Sequence, residues 1–132
     1  MADQEPLDQQ IILITGASRG IGRQTALNCA QAGATVIVTA RRTQGYESVV
    51  REIKDGGGHA VGFQLDVCEE ESVTKAIEEV IIQFGRIDGL VNCAGIIQYH
   101  TPVWKTTIED WDKMMKINLR GTFLVCHEVI PT

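Results

Sequence analysis

Apolar residues along this chain come in two alternating rhythms. Ile11 to Ile14, Val36 to Val38, Ala60 to Leu65 and a run from near Ile87 to Val91 are short and nearly continuous, the pattern of strands buried on both faces. Between them the apolar positions follow helical spacing. Ala26, Cys29 and Ala30 share one side of a segment that opens after Gly20 and closes at Gly33, a residue suited to the left-handed conformation past a helix end. Glu47 to Asp55 predicts a weaker helix carrying Val49 and Ile53, and Gly56-Gly57-Gly58 reads as the turn after it. Val73, Ala76, Ile77, Val80, Ile81 and Phe84 form the clearest stripe, with acidic residues ahead of it and Gly85 behind, as expected of an amphipathic helix. A last helix is predicted from near Thr107, where Thr-Ile-Glu-Asp resembles a capping box, to about Ile130, before Pro131.

The order is β-α-β-α-β-α-β-α, which implies an α/β fold with a parallel sheet, right-handed crossovers and helices on both faces. A full doubly wound sheet of the Rossmann type has about six strands in the order 3-2-1-4-5-6. Four are legible here, so the sheet is expected to be truncated after the fourth strand and the helix that follows it. The fourth strand is then an unpaired edge, which favours self-association.

With 132 residues, 44% of them hydrophobic and 22% charged, the chain has the composition of an ordinary globular domain rather than a disordered one. A net charge of -5 argues against nucleic acid or an anionic membrane as the main partner. Cys29, Cys68, Cys93 and Cys126 are scattered, with no C-x-x-C pair and no histidine at zinc-finger spacing. They are read as reduced thiols in a cytoplasmic protein, and no metal site is expected. Residues 1–10 are a polar segment without an apolar signal core, and no run approaches the ~20 apolar residues a membrane span needs.

The first strand runs into Thr15-Gly16-Ala17-Ser18-Arg19-Gly20-Ile21-Gly22. A strand ends, glycines let the backbone bend and approach a ligand, and a helix begins with free N–H groups and the positive end of its dipole facing outward. That arrangement suits a pyrophosphate. A plain glycine turn is the alternative for an isolated triplet, and its place directly after the first strand of a βαβ series favours phosphate. A methyltransferase, which also has a glycine turn after its first strand, is a further reading.

Three further motifs accompany it: Asp66-Val67 after the third strand, Asn92-Cys93-Ala94-Gly95 after the fourth, and Asn118-Leu119-Arg120-Gly121 inside the last helix. Taken together, T-G-x-x-x-G-x-G, Asp-Val, N-C-A-G and N-x-x-G resemble the short-chain dehydrogenase/reductase family. The second place of its N-N-A-G is here Cys93. Residues 11–132 then read as an incomplete NAD(P)-binding domain. A methyltransferase does not account for the arginines after the second strand or for the Asn-Cys-Ala-Gly loop.

The second strand ends in Thr39-Ala40-Arg41-Arg42. It offers no carboxylate for a ribose 2′-hydroxyl and two guanidinium groups for a 2′-phosphate, with Arg19 a third. The resemblance therefore implies NADP in preference to NAD. It also implies cofactor contacts from Gly16, Ser18, Arg19, Gly20, Ile21, Gly22, Arg41 and Arg42. Asp66 and Val67 would serve the adenine, and Asn92, Ala94 and Gly95 the nicotinamide ribose. Asn118, a polar residue among apolar ones, either hydrogen-bonds a neighbouring loop or, as the resemblance implies, supports a water-linked proton relay to a catalytic lysine. Tyr99 and His100 are weaker candidates for substrate contact, and His59 and His127 have no partner pattern.

The family's chemistry uses a serine and a Tyr-x-x-x-Lys. Tyr46 and Tyr99 are followed four residues on by Val50 and Val103, so neither fits. The resemblance thus implies an oxidoreductase acting on a small-molecule alcohol/carbonyl pair, with this chain the cofactor-binding portion and inactive alone. The apolar residues of the last helix point several ways, and in the family that helix packs on a partner subunit, which implies a homo-oligomer. A non-catalytic nucleotide-binding or interaction module is the alternative.

Overall fold

A computed structural model describes residues 6–98 and 100–132. The strands are β1 (Ile11–Thr15), β2 (Thr35–Ala40), β3 (His59–Gln64) and β4 (Gly89–Asn92). They form one parallel sheet in the order β3-β2-β1-β4. The helices between them are α1 (Gly20–Gln31), α2 (Thr43–Asp55) and α3 (Glu70–Phe84). After β4 come a 3-10 turn (Val103–Lys105), α4 (Ile108–Met114), a π-helical stretch (Met115–Arg120) and α5 (Gly121–Val129). The last three run on as one rod, because Met115 and Gly121 keep right-handed helical angles.

Successive strand residues face opposite sides, so the sheet has a core on each face. Ile11 and Leu13 pack with Val73, Ile77 and Val80 of α3 and with Leu124, Val125 and Val129 of α5. Ile12 and Ile14 pack with Ala26 of α1 and Val49 and Ile53 of α2. Leu13, Ile14, Val36, Ile37 and Val38 are wholly buried. At roughly 1.5–3 kcal/mol for each such side chain, the central strands anchor the fold.

The helix ends follow the expected physics at several places. Gly85 takes φ +79 beyond α3, and Gly33 takes φ +96 beyond α1. At the start of α4, Thr107 Oγ1 accepts the Asp110 N–H at 3.0 Å and donates to Asp110 Oδ2 at 2.8 Å. This capping box closes on the threonine hydroxyl instead of the threonine backbone.

Two boundaries and one helix type differ most from the sequence expectation. Helix α2 starts at Thr43, four residues early, with Arg42 extended at its N-cap. Gly45 in its first turn, a poor helix former, serves packing: a Cβ there would lie 2.8 Å from Ser18 Cβ. Strand β4 starts at Gly89, not Ile87. Asp88 ties down the entry by accepting the Ile11 N–H at 2.7 Å, and Ile87 packs on the core instead. The π-helical stretch has no signature in the apolar spacing. It carries Ile117 and Asn118, and π turns tend to occur at functional sites.

Candidate functional site

At the carboxyl ends of the strands lies a cleft of about 460 Å³. It is lined by Gly16, Arg19, Gly20, Ile21 and Gly22 from the first turn and by Ala40 and Arg41 from the end of β2. Leu65, Asp66, Val67 and Cys68 contribute from the third loop, Cys93, Ala94, Gly95 and Ile96 from the fourth, and Ile117 from the last rod. Ligands of open α/β sheets bind at this edge, where the strand order reverses between β1 and β4.

The floor is built by close backbone approach. Gly16 has φ +59, and a Cβ on it would stand 2.6 Å from Ala94 N and 2.8 Å from the Cys93 carbonyl carbon. Gly22 packs on the Gly16 carbonyl oxygen. Gly20 has φ +57 but nothing within 4 Å of where its Cβ would be, so its freedom serves the backbone bend and keeps the opening clear. No side chain caps the first turn of α1, which leaves its N–H groups toward the cleft.

Three side chains clamp the loops together. Thr15 Oγ1, buried, accepts from both Cys93 N and Ala94 N at 3.2 Å. Thr39 Oγ1 donates to the Ile14 carbonyl at 2.9 Å, and its own carbonyl takes the Ala17 N–H at 3.0 Å. Asn118 meets Ile96 as one peptide meets another. Its Oδ1 accepts the Ile96 N–H at 2.8 Å, and its Nδ2 donates to the Ile96 carbonyl at 2.7 Å. The asparagine amide is thus satisfied by a neighbouring loop, one of the two readings its position allowed. Gly95 sits directly beneath, where a Cβ would be 3.2 Å from Asn118 Oδ1.

Asp66 opens the third loop in a compact turn. Its Oδ1 accepts the Cys68 N–H at 2.9 Å, and its own N–H donates to Ser72 Oγ at 2.9 Å. Arg120 reaches over to the Cys68 carbonyl at 3.3 Å, and Gly121 lets the rod close on Val67. Burial, with the Asp66 carboxylate beside it, pushes the Cys68 thiol up, so it stays protonated near neutrality.

Of the residues singled out in the sequence, ten line this cleft: Gly16, Arg19, Gly20, Ile21, Gly22, Arg41, Asp66, Val67, Ala94 and Gly95. Ser18, Arg42, Asn92 and Asn118 do not. Ser18 packs toward Gly45, and Arg42 is the exposed N-cap of α2. Asn92 Nδ2 turns to Cys126 Sγ at 3.4 Å. Asn118 acts through Ile96. Thr15, Leu65, Cys68 and Ile96 were not singled out as site residues in the sequence. Thr15 alone had a readable signal, as the threonine that opens the glycine-turn motif at the end of an otherwise apolar strand. Tyr99 lies outside the described residues. His100 is exposed, takes φ +60 and does not line the cleft.

Among the described residues no group of three or more His, Cys, Asp or Glu side chains could hold a metal ion, and no helix is long and apolar enough to cross a membrane.

Comparison with known proteins places these features in company. The sequence profile described as short chain dehydrogenase matches residues 10–132. D-threitol dehydrogenase from Mycolicibacterium smegmatis is 38% identical over 123 residues, covering 93% of this chain and 47% of that protein. The crystal structure of gox2181 superposes with a TM-score of 0.94 at 32% identity, over 97% of this chain and 50% of the other. A metagenomic short-chain oxidoreductase solved in complex with NADP gives a TM-score of 0.88 at 33% identity, over 95% of this chain and 57% of the other. The chain spans about half the length of the curated relatives it matches.

Proposed function

Since the chain belongs to the short-chain dehydrogenase family, we propose that it is the cofactor-binding portion of an NADP-dependent oxidoreductase acting on a small-molecule alcohol/carbonyl pair. The observation that carries this reading is the one cleft that gathers the Gly16–Gly22 turn, Arg41 and Asp66 at the carboxyl edge of the sheet. The geometry fits a dinucleotide, because Gly16 admits no side chain and Gly20 leaves the opening clear. When bound, the nicotinamide supplies the hydride chemistry.

The chain's own residues bind and orient. The first turn of α1 and the Gly16–Gly22 backbone, with Ser18 and Ile21, receive the pyrophosphate side. Arg41, with Arg19 and Arg42 near it in the fold and the sequence, supplies positive charge for a 2′-phosphate. Asp66 accepts from the adenine amino group beside Val67, and Asn92, Ala94 and Gly95 serve the nicotinamide ribose. Asn118 holds the Ile96 loop and supports a proton relay to a lysine of the whole enzyme. The chain contains no Tyr-x-x-x-Lys, so binding without turnover is expected of it alone.

Two wider proposals go with this reading. Trp111, Met115, Leu119 and Phe123 stand exposed along the last rod, and a homo-oligomer would cover them. Four free cysteines and a net charge of -5 suit a cytoplasmic protein with neither nucleic acid nor membrane as partner.

Fluorescence titration with NADPH and NADH, with circular dichroism on the same sample, tests the cofactor. A charge-assisted pair to a 2′-phosphate is expected to favour NADPH by about 10- to 100-fold. A folded chain that binds neither nucleotide refutes the proposal, and equal affinities refute its NADP part.

A further inference from the structure

The parallel ladder between β2 and β3 has its last paired residues at Ala40 and Gln64. Its last main-chain rung runs from the Leu65 N–H to the Ala40 carbonyl at 3.0 Å. One more rung follows, and a side chain makes it: Gln64 Nε2 donates to the Arg41 carbonyl oxygen at 3.0 Å. Beyond this point the chain leaves the sheet and enters α2 through the extended Arg42. Arg41 lines the cleft and Arg42 does not, so the extra rung falls on the member of this arginine pair that the fold delivers to the site.

We propose that Gln64 is a positioning residue for cofactor choice, holding the backbone from which Arg41 meets the 2′ position of the nucleotide; this rests on the NADP reading above. A guanidinium recognises a phosphate through parallel N–H bonds, a geometry that tolerates little wander. Arg41 stands on a long stem just past the last paired residue of β2. Tying its carbonyl to β3 fixes the root of that stem and narrows the space its guanidinium searches. A ribose 2′-hydroxyl makes no such demand, so the effect of Gln64 falls on NADPH and spares NADH. Gln64 is itself exposed, so it contributes little to the core and its loss leaves the fold intact.

The test is calorimetric titration of the chain with NADPH and NADH, for the parent, Gln64→Met, Arg41→Ala and the double variant. Methionine keeps the length of the side chain and removes the donor. Gln64→Met is expected to weaken NADPH about three- to tenfold, the worth of one neutral hydrogen bond, while NADH is unchanged. Arg41→Ala is expected to cost NADPH more, and Gln64→Met to add nothing on top of it. If Gln64→Met leaves NADPH alone, or weakens both nucleotides equally, while Arg41→Ala removes the NADPH preference, Gln64 has no positioning role and the NADP reading stands. If the parent shows no NADPH preference, or Arg41→Ala leaves one intact, the cofactor reading at Arg41 fails and the role of Gln64 falls with it.

Discussion

Two glycines of the first turn share a left-handed backbone and differ in what surrounds them, which allows the cleft floor to be tested by subtraction. Gly16 and Gly20 sit at φ +59 and φ +57. Alanine at either position carries the left-handed cost of about 1–2 kcal/mol. At Gly20 the added Cβ meets nothing within 4 Å, whereas at Gly16 it falls 2.6 Å from Ala94 N and 2.7 Å from Ala94 Cα. Those are backbone atoms held by Thr15, so they cannot rotate aside. Overpacking of this kind costs roughly 1–3 kcal/mol more. Gly16→Ala is therefore expected to lose about 2–5 kcal/mol and Gly20→Ala about 1–2. In urea, with a slope of about 2 kcal/mol per molar for a chain of this size, the two midpoints should separate by roughly 0.5–1.5 M. Because the backbone term cancels, the gap measures the contact between the first turn and the loop after β4. Coincident midpoints would refute that contact, and with it the floor of the site.

Other outcomes follow from the same geometry. Thr15→Val keeps the shape of the side chain but strips the acceptor from two N–H groups; a loss of roughly 1–3 kcal/mol is expected in thermal or urea unfolding, together with weaker nucleotide binding. Asn118→Leu removes both bonds to Ile96, so hydrogen exchange should accelerate at the Ile96 amide while the amides of β1 and β2 keep their protection. The Ile11 N–H, and then the Arg86 guanidinium, hold the Asp88 carboxyl below the usual carboxylate range. A depressed folded pKa stabilises above the unfolded value of about 3.9 and is lost as pH falls through the folded one. Asp88→Asn should thus be less stable than the parent at pH 7, with the two converging in strong acid; a constant difference across that window would exclude the carboxylate as the cause. Replacing Leu119 and Phe123 with glutamate is expected to lower the mass seen by light scattering, and an unchanged oligomer would exclude the last rod as the contact.

The alternation of short apolar runs with amphipathic stripes determined the α/β class, because strands buried on both faces and helices buried on one leave different periods in the chain. The strand order β3-β2-β1-β4 is the first part of the Rossmann-type order 3-2-1-4-5-6, which the alternation of strands and helices suggested and no single residue specified. The glycine turn was legible as well, since a strand that runs into closely spaced glycines and then a helix has few other uses. The tertiary structure decided what depends on contacts distant in sequence. Nothing near Arg41 and Arg42 distinguishes them, and only the β2–β3 ladder and the start of α2 turn one into the cleft and leave the other at the helix cap. Nothing around Asn118 says whether its amide faces solvent, ligand or loop; the meeting of the rod with Ile96, 22 residues away, settled it. The π-helical stretch escaped detection because the apolar spacing across Met115–Arg120 still reads as an ordinary helix. Local sequence determines period and turn chemistry, but the direction of a side chain at the end of an element is set by neighbours that only the folded chain brings together.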